Sequence, residues 1–181
     1  MGSDAAGRFG RNLEQQMGMF LNTISIRAKV RKTLSFKQFI SYIQNTLNEV
    51  LANQDFPFNQ LVEELGASTL FNVFVLSQRI DSFNDIQMIP EVDIEPVSLD
   101  SGYSKFDLSF IFGSTKEGNL LLSLEYNSAF ISVENVHTFA TQFMNTLQCF
   151  TSYPEALLRQ SPEVNREEQD KLNQMMKSTL I

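Results

Sequence analysis

One pair of segments constrains the fold of this chain more than any other feature. Residues 106–112 alternate between apolar and other side chains, and residues 120–126 do so again after a short turn segment. An alternation with a period of two places every second side chain on one face of a β-strand. Two such strands joined by a turn that holds Gly113 and Gly118 form an antiparallel hairpin. The chain therefore contains a sheet with at least one antiparallel pair.

Two amphipathic helices are the next clearest elements. Residues 35–53 begin with Ser35 and Gln38 at the spacing of a capping box, and apolar residues then recur every three or four positions. Ser132 begins a second helix with the same apolar spacing, and Tyr153 lies where the following proline ends it. Both helices are expected to turn one face towards a core.

A shorter helix and two more strands complete the pattern. Residues 57–65 predict a helix, because proline suits its first turn and Gly66 suits its end. Residues 17–30 are apolar on both parities and predict a strand buried on two faces, whereas residues 70–77 predict a central strand. Strands interleaved with helices indicate an α/β two-layer sandwich, and the hairpin makes its sheet mixed.

Three segments do not fit this sandwich. Residues 1–7 are small and polar and predict a leader outside the fold. Residues 78–104 predict a long excursion with one short strand at 94–99. Residues 163–178 predict a charged helix with little to bury, which is typical of a linker.

The composition excludes several kinds of function. The 181 residues include one cysteine and one histidine, so the chain forms no internal disulfide and no zinc site of cysteines and histidines. A net charge of −7 argues against nucleic acid as a partner. No run of 18 apolar residues is present, so no membrane span is expected. A single cysteine fits a reducing cytoplasm.

The few candidate catalytic residues do not form a set. His137 and Cys149 lie twelve positions apart on one predicted helix, too far for a nucleophile and its base. A surface or packing role is therefore favoured for His137, and a small apolar role for Cys149. Asp107 lies among apolar residues of a strand, and structural buttressing is favoured over catalysis. No catalytic residue and no metal site are predicted.

Two segments are more distinctive than the composition. The first reads Gly18-Met19-Phe20-Leu21-Asn22-Thr23 and is followed by Arg27. The second starts 31 residues after Asn22 and reads Asn53-Gln54-Asp55-Phe56-Pro57-Phe58. In order and spacing they resemble GxFVNTxxxR and (H/N)QDxPFE, two motifs of the condensation domains of nonribosomal peptide synthetases. The resemblance covers about residues 8–178 and favours condensation proper over epimerization or heterocyclization.

The chain also departs from the pattern of that family. Family members pair two lobes that resemble chloramphenicol acetyltransferase, and the catalytic HHxxxDG motif lies in the N-terminal lobe. This chain has no such motif, Asn59 replaces the usual glutamate, and residues 66–70 lack both arginines of the RDxSRNPL motif. The resemblance therefore implies a C-terminal lobe alone at residues 8–158, with a linker helix towards an adenylation domain at residues 159–181.

The resemblance implies a function for the lobe within a larger enzyme. The whole domain forms a peptide bond between a donor acyl thioester and an acceptor aminoacyl thioester, each tethered to a carrier protein. This lobe forms one wall of the tunnel and is not expected to be active alone. It binds no cofactor directly and meets the phosphopantetheine arms of carrier proteins. Its expected partners are the N-terminal lobe, the carrier proteins and the downstream adenylation domain.

The site residues that the resemblance implies all belong to the two motifs. These are Gly18, Phe20, Asn22, Thr23, Arg27, Asn53, Gln54, Asp55, Pro57 and Phe58. Two roles are open for Asn22, a structural lock between strand and helix or a hydrogen bond to pantetheine amides. Asp55 and Pro57 are expected to fix the corner between two helices.

Two other functions remain as alternatives. The first is a non-catalytic interaction module that binds carrier or adenylation domains, which the acidic balance and the polar C-terminal helix motivate. The second is a complete small acyltransferase that uses His137.

Overall fold

The structure is a computed structural model that describes residues 1–8, 13, 15–79, 97, 102–114 and 118–160. Its elements, in chain order, are β1 (Gly2–Ala5), β2 (Asn22–Ser25), α1 (Phe36–Ala52), α2 (Phe58–Leu65), β3 (Val73–Arg79), β4 (Leu108–Ser114), β5 (Leu120–Tyr126) and α3 (Val133–Ser152). They group into two compact units, one of residues 1–25 and 54–127, the other of residues 26–53 and 128–181. Each unit is described by itself.

The first unit is built on a five-stranded mixed sheet in the order β2-β1-β3-β4-β5. β4 and β5 pair antiparallel from Leu108 opposite Tyr126 to Ser114 opposite Leu120, so the predicted hairpin is confirmed. β3 lies at the centre of the sheet and pairs parallel with β4, as the apolar run predicted. The α/β class with a mixed sheet is therefore confirmed.

β3 and β4 pair in parallel. Parallel neighbours cannot be joined by a tight turn, and a long stretch of sequence separates these two strands. Most of residues 78–104, with the strand predicted at 94–99, lies outside the described residues, and so does the helix predicted at 163–178.

The first seven residues need a correction, because Gly2–Ala5 forms a strand of the sheet. β1 pairs antiparallel with β2 over four residues and meets β3 in parallel at Gly2 opposite Phe74. A Cβ built on Gly2 would lie 2.0 Å from the ring of Phe71, so the strand packs tightly against its neighbours. Ala5 is 3% exposed. The segment expected to be a leader therefore belongs to the core.

The strand predicted over residues 17–30 is also corrected, since β2 covers only Asn22–Ser25. Apolar residues on both parities indicated burial on two faces, but Met17 is fully exposed and Met19 is 89% exposed. Only Ile24 of the four strand residues is buried. The two-sided apolar pattern therefore marks an exposed segment before a short strand.

The second unit contains α1 and α3, both of which begin where the caps predicted. Ser35 and Gln38 form a complete capping box at the start of α1, and Ser132 caps α3. The rings of Phe36 and Phe150 stack 4.6 Å apart, which joins the two helices. In the first unit, α2 ends at Leu65 and Gly66 is its C-cap, as predicted.

Backbone bonds tie the start of α1 to the residues that follow α3. The amides of Phe36 and Lys37 donate to the carbonyls of Ala156 and Pro154 at 3.0 and 2.9 Å. These bonds satisfy amide groups that the first turn of a helix leaves without partners. Among the described residues, no helix has the length and apolar character needed to cross a membrane.

Candidate functional site

The side chain of Asn22 joins the two sequence motifs. Its Nδ2 donates to the backbone carbonyl of Gln54 at 2.6 Å and to that of Phe56 at 2.8 Å. Asn22 is the first residue of β2, whereas the two carbonyls belong to the segment that leads into α2. Residues 32 and 34 positions apart in the sequence are therefore locked together.

This geometry favours one of the two roles that the sequence left open for Asn22. A side-chain amide has two N–H donors, and both are used by the carbonyls of Gln54 and Phe56. Carbonyl oxygens cannot donate, so only Nδ2 can face them and the orientation of the amide is fixed. A pantetheine amide could meet only Oδ1, as a donor, which supports the structural lock as the primary role.

Thr23, the next residue of the first motif, is held from the neighbouring strand. Its Oγ1 donates to Oδ1 of Asp4 at 3.2 Å, and the two residues are directly opposite each other in the β1–β2 ladder. Cross-strand pairs of this kind stabilise a register. The motif strand is therefore held by a residue of the segment that the sequence assigned to a leader.

The start of the first motif packs on itself and on Arg8. The guanidinium of Arg8 lies 4.5 Å from the centre of the Phe20 ring. A Cβ built on Gly18 would lie 3.1 Å from that same ring, which is a tight contact. Glycine at this position therefore avoids crowding the ring. Gly18 and Phe20 therefore form one packed turn ahead of β2.

The second motif is held by the restricted backbone of Pro57 and by the ring contact of Phe58. Pro57 is the N-cap of α2 with φ −63°, a value that its ring imposes. The Phe58 ring lies 5.6 Å from that of Phe71 and is tilted to it. Asp55 is exposed. The proposed role of Asp55 at the corner between the helices stays a prediction.

An aromatic cluster anchors the second motif to the sheet. Phe71 lies 5.6 Å from Phe106, and the rings of Phe106 and Phe74 stack 4.5 Å apart. Phe58 joins the cluster through Phe71, so α2, β3 and the segment just before β4 share one apolar contact network. Aromatic pairs at these distances add about 0.5–1.5 kcal/mol each beyond their buried area.

Two motif residues belong to the second unit. Asn53 is the C-cap of α1, and its Nδ2 donates to the carbonyl of Glu49 at 2.8 Å within the same helix. Arg27 is exposed and follows the buried Ile26. The side chain of Asn53 therefore caps the C-terminal end of α1.

Asp107 has the partners expected of a buttress. Its Oδ2 accepts from Nδ2 of Asn72 at 2.8 Å, and its amide donates to the carbonyl of Asn72 at 3.1 Å. Its carbonyl accepts from the amide of Asn127 at 3.0 Å. Asp107 thus joins the segments flanking β3, β4 and β5, which supports the structural role.

The two side chains weighed as catalytic candidates, His137 and Cys149, both belong to α3 in the second unit. His137 is exposed on α3. Cys149, on the same helix, lines an open cavity of about 570 Å³ together with Ser152, Tyr153, Pro154, Glu155, Ala156 and Gln160. No histidine is in that lining, so the thiol has no imidazole beside it to act as a base.

The chemistry available at the two motifs is binding and positioning. Their described side chains offer amides, hydroxyls, aromatic rings and the exposed charged groups of Arg27 and Asp55, and the segments are fixed by hydrogen bonds to two backbone carbonyls and to Asp4. In the described part of the chain, no three His, Cys, Asp or Glu residues group in a way that could hold a metal ion. The arrangement can therefore shape a binding surface.

Sequence reasoning missed three residues that support the first motif, Asp4, Gly7 and Arg8. Each lies in or directly after β1, a four-residue strand of small residues. So short a strand shows no measurable alternation, and the motif residues that these residues contact lie ten or more positions away. No local pattern could have identified them.

A protein-family model described as the condensation domain matches residues 1–173. Gramicidin S synthase 2 of Brevibacillus brevis is 30% identical over 176 residues, which are 93% of this chain and 4% of that protein. Bacitracin synthase 2 of Bacillus licheniformis is 28% identical over 177 residues, 93% of this chain and 7% of that protein. The chain thus spans a small part of the curated relatives it matches.

Solved structures agree on the fold. A four-domain nonribosomal peptide synthetase, solved with AMP and glycine, superposes with a TM-score of 0.78 at 20% identity, covering 88% of this chain and 14% of that one. The first condensation domain of the CDA synthetase gives 0.69 at 20% identity, covering 91% of this chain and 37% of that one. The X-domain from teicoplanin biosynthesis gives 0.75 at 16% identity, covering 90% and 39%.

Proposed function

The chain belongs to the condensation-domain family, and from that premise we propose that it is the C-terminal lobe of a peptide-bond-forming domain. In the whole domain, the acceptor amine attacks the carbonyl of the donor thioester. A C–N bond forms, the C–S bond breaks, and the proton that the amine loses is taken up by the departing thiolate of the donor pantetheine. The lobe forms one wall of the tunnel in which the two pantetheine arms meet.

The observation that carries this proposal is the lock made by Asn22. The two motifs that distinguish the family in this sequence are joined by two hydrogen bonds from one side chain. The bond to Gln54 is partly buried and the bond to Phe56 is exposed, and together they hold the two backbone segments in a defined geometry. A wall that faces long, flexible pantetheine arms needs such a geometry, because loosely placed reactants lose most of the rate advantage of proximity.

The partners follow from the same proposal. The lobe offers no HHxxxDG sequence, so the general base has to come from an N-terminal lobe. Carrier proteins bring the phosphopantetheine arms, and an adenylation domain follows the lobe in the same polypeptide. With a single cysteine in 181 residues, we place the domain in the reducing cytoplasm.

The test is to reconstitute a domain from two pieces. The chain is combined with the segment that precedes it in its gene, and two carrier domains loaded with a donor and an acceptor are added. Dipeptide on the acceptor carrier is measured by mass spectrometry. We expect product with both pieces together and none with either piece alone.

Two results would overturn the proposal. One is dipeptide formation by the chain alone, which would favour a complete small acyltransferase. The other is an inactive pair of pieces in which this chain still binds carrier or adenylation domains, which would favour a non-catalytic interaction module.

A further inference from the structure

We propose that Gly7 and Arg8 form a clasp that positions the first motif, and that Arg8 is a positioning residue for the condensation reaction. This inference rests on the proposed function for its catalytic consequence. The clasp itself is observed in the structure, as hydrogen bonds and a ring contact of Arg8 and a close backbone approach at Gly7.

Arg8 gathers three backbone carbonyls of the segment that leads into the motif. Its Nη1 donates to the carbonyl of Leu13 at 2.6 Å and to that of Gln16 at 2.7 Å, and its Nη2 donates to that of Gly18 at 3.3 Å. A guanidinium presents its donors in a fixed plane, so it can hold several carbonyls in one arrangement. Because the donor is charged, these bonds are stronger than bonds between neutral groups.

The same guanidinium covers the aromatic ring of the motif. It lies 4.5 Å from the ring centre of Phe20, within the range of a cation–π contact. One side chain thus fixes both the main chain before the motif and the side chain at its third position. A lysine could keep a charge near the ring but could not reproduce the planar fork.

Gly7 completes the clasp from the backbone side. Its φ is +55°, in the left-handed region that favours glycine. A Cβ at this position would lie 1.9 Å from the carbonyl oxygen of Phe20, a main-chain atom that cannot rotate away. Glycine is therefore required for the backbone of residue 7 to pass so close to the motif.

The clasp closely follows β1, the strand that pairs with the motif strand β2. β1 ends at Ala5, two residues before Gly7, and Asp4 of β1 is opposite Thr23 of β2. The two ends of the first motif are consequently fixed from one stretch of chain, residues 4–8, by Arg8 at Gly18 and by Asp4 at Thr23. Loss of the clasp should loosen the start of the motif while the β1–β2 ladder persists.

The first arm of the test measures hydrogen exchange on this chain, with Arg8→Met and Arg8→Lys compared with Arg31→Met. Arg31 is exposed and serves as the matched control. We expect the amides of residues 15–22 to exchange about tenfold faster in Arg8→Met, less so in Arg8→Lys, and unchanged in Arg31→Met, because local opening sets the exchange rate. Gly7→Ala should resemble Arg8→Met. Equal exchange in Arg8→Met and Arg31→Met would overturn the clasp.

The second arm measures condensation in the reconstituted two-lobe domain. We expect Arg8→Met to lower kcat by about tenfold with little change in the KM for the carrier proteins, because misplaced groups slow the reaction more than they weaken docking. A purely structural role would change the melting temperature and leave kcat per folded enzyme intact, and that result would overturn the positioning role. If the wild-type domain were inactive, the proposed function would fail, and the exchange arm would still decide the clasp.

Discussion

At the scale of single residues, the candidate site depends on a few side-chain hydrogen bonds between segments. Asn22 donates to the carbonyls of Gln54 and Phe56, and the carboxylate of Asp107 accepts from the side chain of Asn72. A carbonyl that is partly buried and loses its donor keeps the desolvation penalty, so deletion of such a side chain costs more than the net value of its bond. Mutations at these residues should therefore lower the free energy of unfolding.

Asn22→Ala should destabilise the chain by about 1–3 kcal/mol, because two hydrogen bonds to carbonyls are lost. Asn22→Asp should cost more, since a carboxylate would face two carbonyl oxygens with no proton to donate. The measurement is the urea midpoint of unfolding. Asn53→Ala is the matched control, because that exposed asparagine bonds only within its own helix. Equal losses for Asn22→Ala and Asn53→Ala would contradict the lock.

Asp107 and Asn72 should show energetic coupling in a double-mutant cycle. Their side chains are 2.8 Å apart, and directly bonded pairs couple by about 0.5–3 kcal/mol. The cycle uses Asp107→Ala, Asn72→Ala and the double variant, each followed by denaturant unfolding. Additive losses would show that Asp107 acts through its backbone alone.

At the scale of elements, the local rules of the sequence accounted for the helices and the hairpin. Ser35 and Gln38 set the start of α1, and Gly66 ends α2 with φ +59°. The β4–β5 hairpin followed from alternation, since each strand carries its own period. β1 is the opposite case, because Gly2–Ala5 is strand only through pairing with β2 and β3.

Ser35→Ala should lower stability by about 1 kcal/mol, the usual cost of removing an N-cap. Ser35 is 4% exposed, and its Oγ accepts from the amide of Gln38 while its own amide donates to Oε1 of Gln38. Ser41→Ala, in the same helix, is the control, since its exposed hydroxyl only bonds back to Lys37. We expect no loss for Ser41→Ala in urea unfolding, and a loss equal to that of Ser35→Ala would argue against the cap.

At the scale of the whole molecule, the proposed function implies that the chain lacks a covering partner. Leu120 and Leu121 at the start of the edge strand β5 are 77% and 47% exposed. An edge strand with exposed apolar residues is a surface on which another protein can pack. The proposed N-terminal lobe is the candidate for that partner.

Addition of the N-terminal lobe should raise the melting temperature of the chain. Binding to the folded form at 100 times the dissociation constant contributes about 2.7 kcal/mol. For a chain of this size that is a rise of roughly 5–10 °C. Differential scanning calorimetry with an unrelated protein of similar size as control provides the measurement. An unchanged melting temperature at saturating concentrations would count against a two-lobed domain.

The sequence by itself determined the class of the fold, most helix ends, the hairpin and the family. Each of these depends on a pattern within one segment or on two motifs at a characteristic spacing. Only the tertiary structure decided that residues 2–5 are a strand, that Asn22 joins the motifs, and that Arg8 gathers the segment before them. The physical reason is that these contacts end on backbone carbonyls. Every residue has such a carbonyl, so only the folded chain selects which ones are bound.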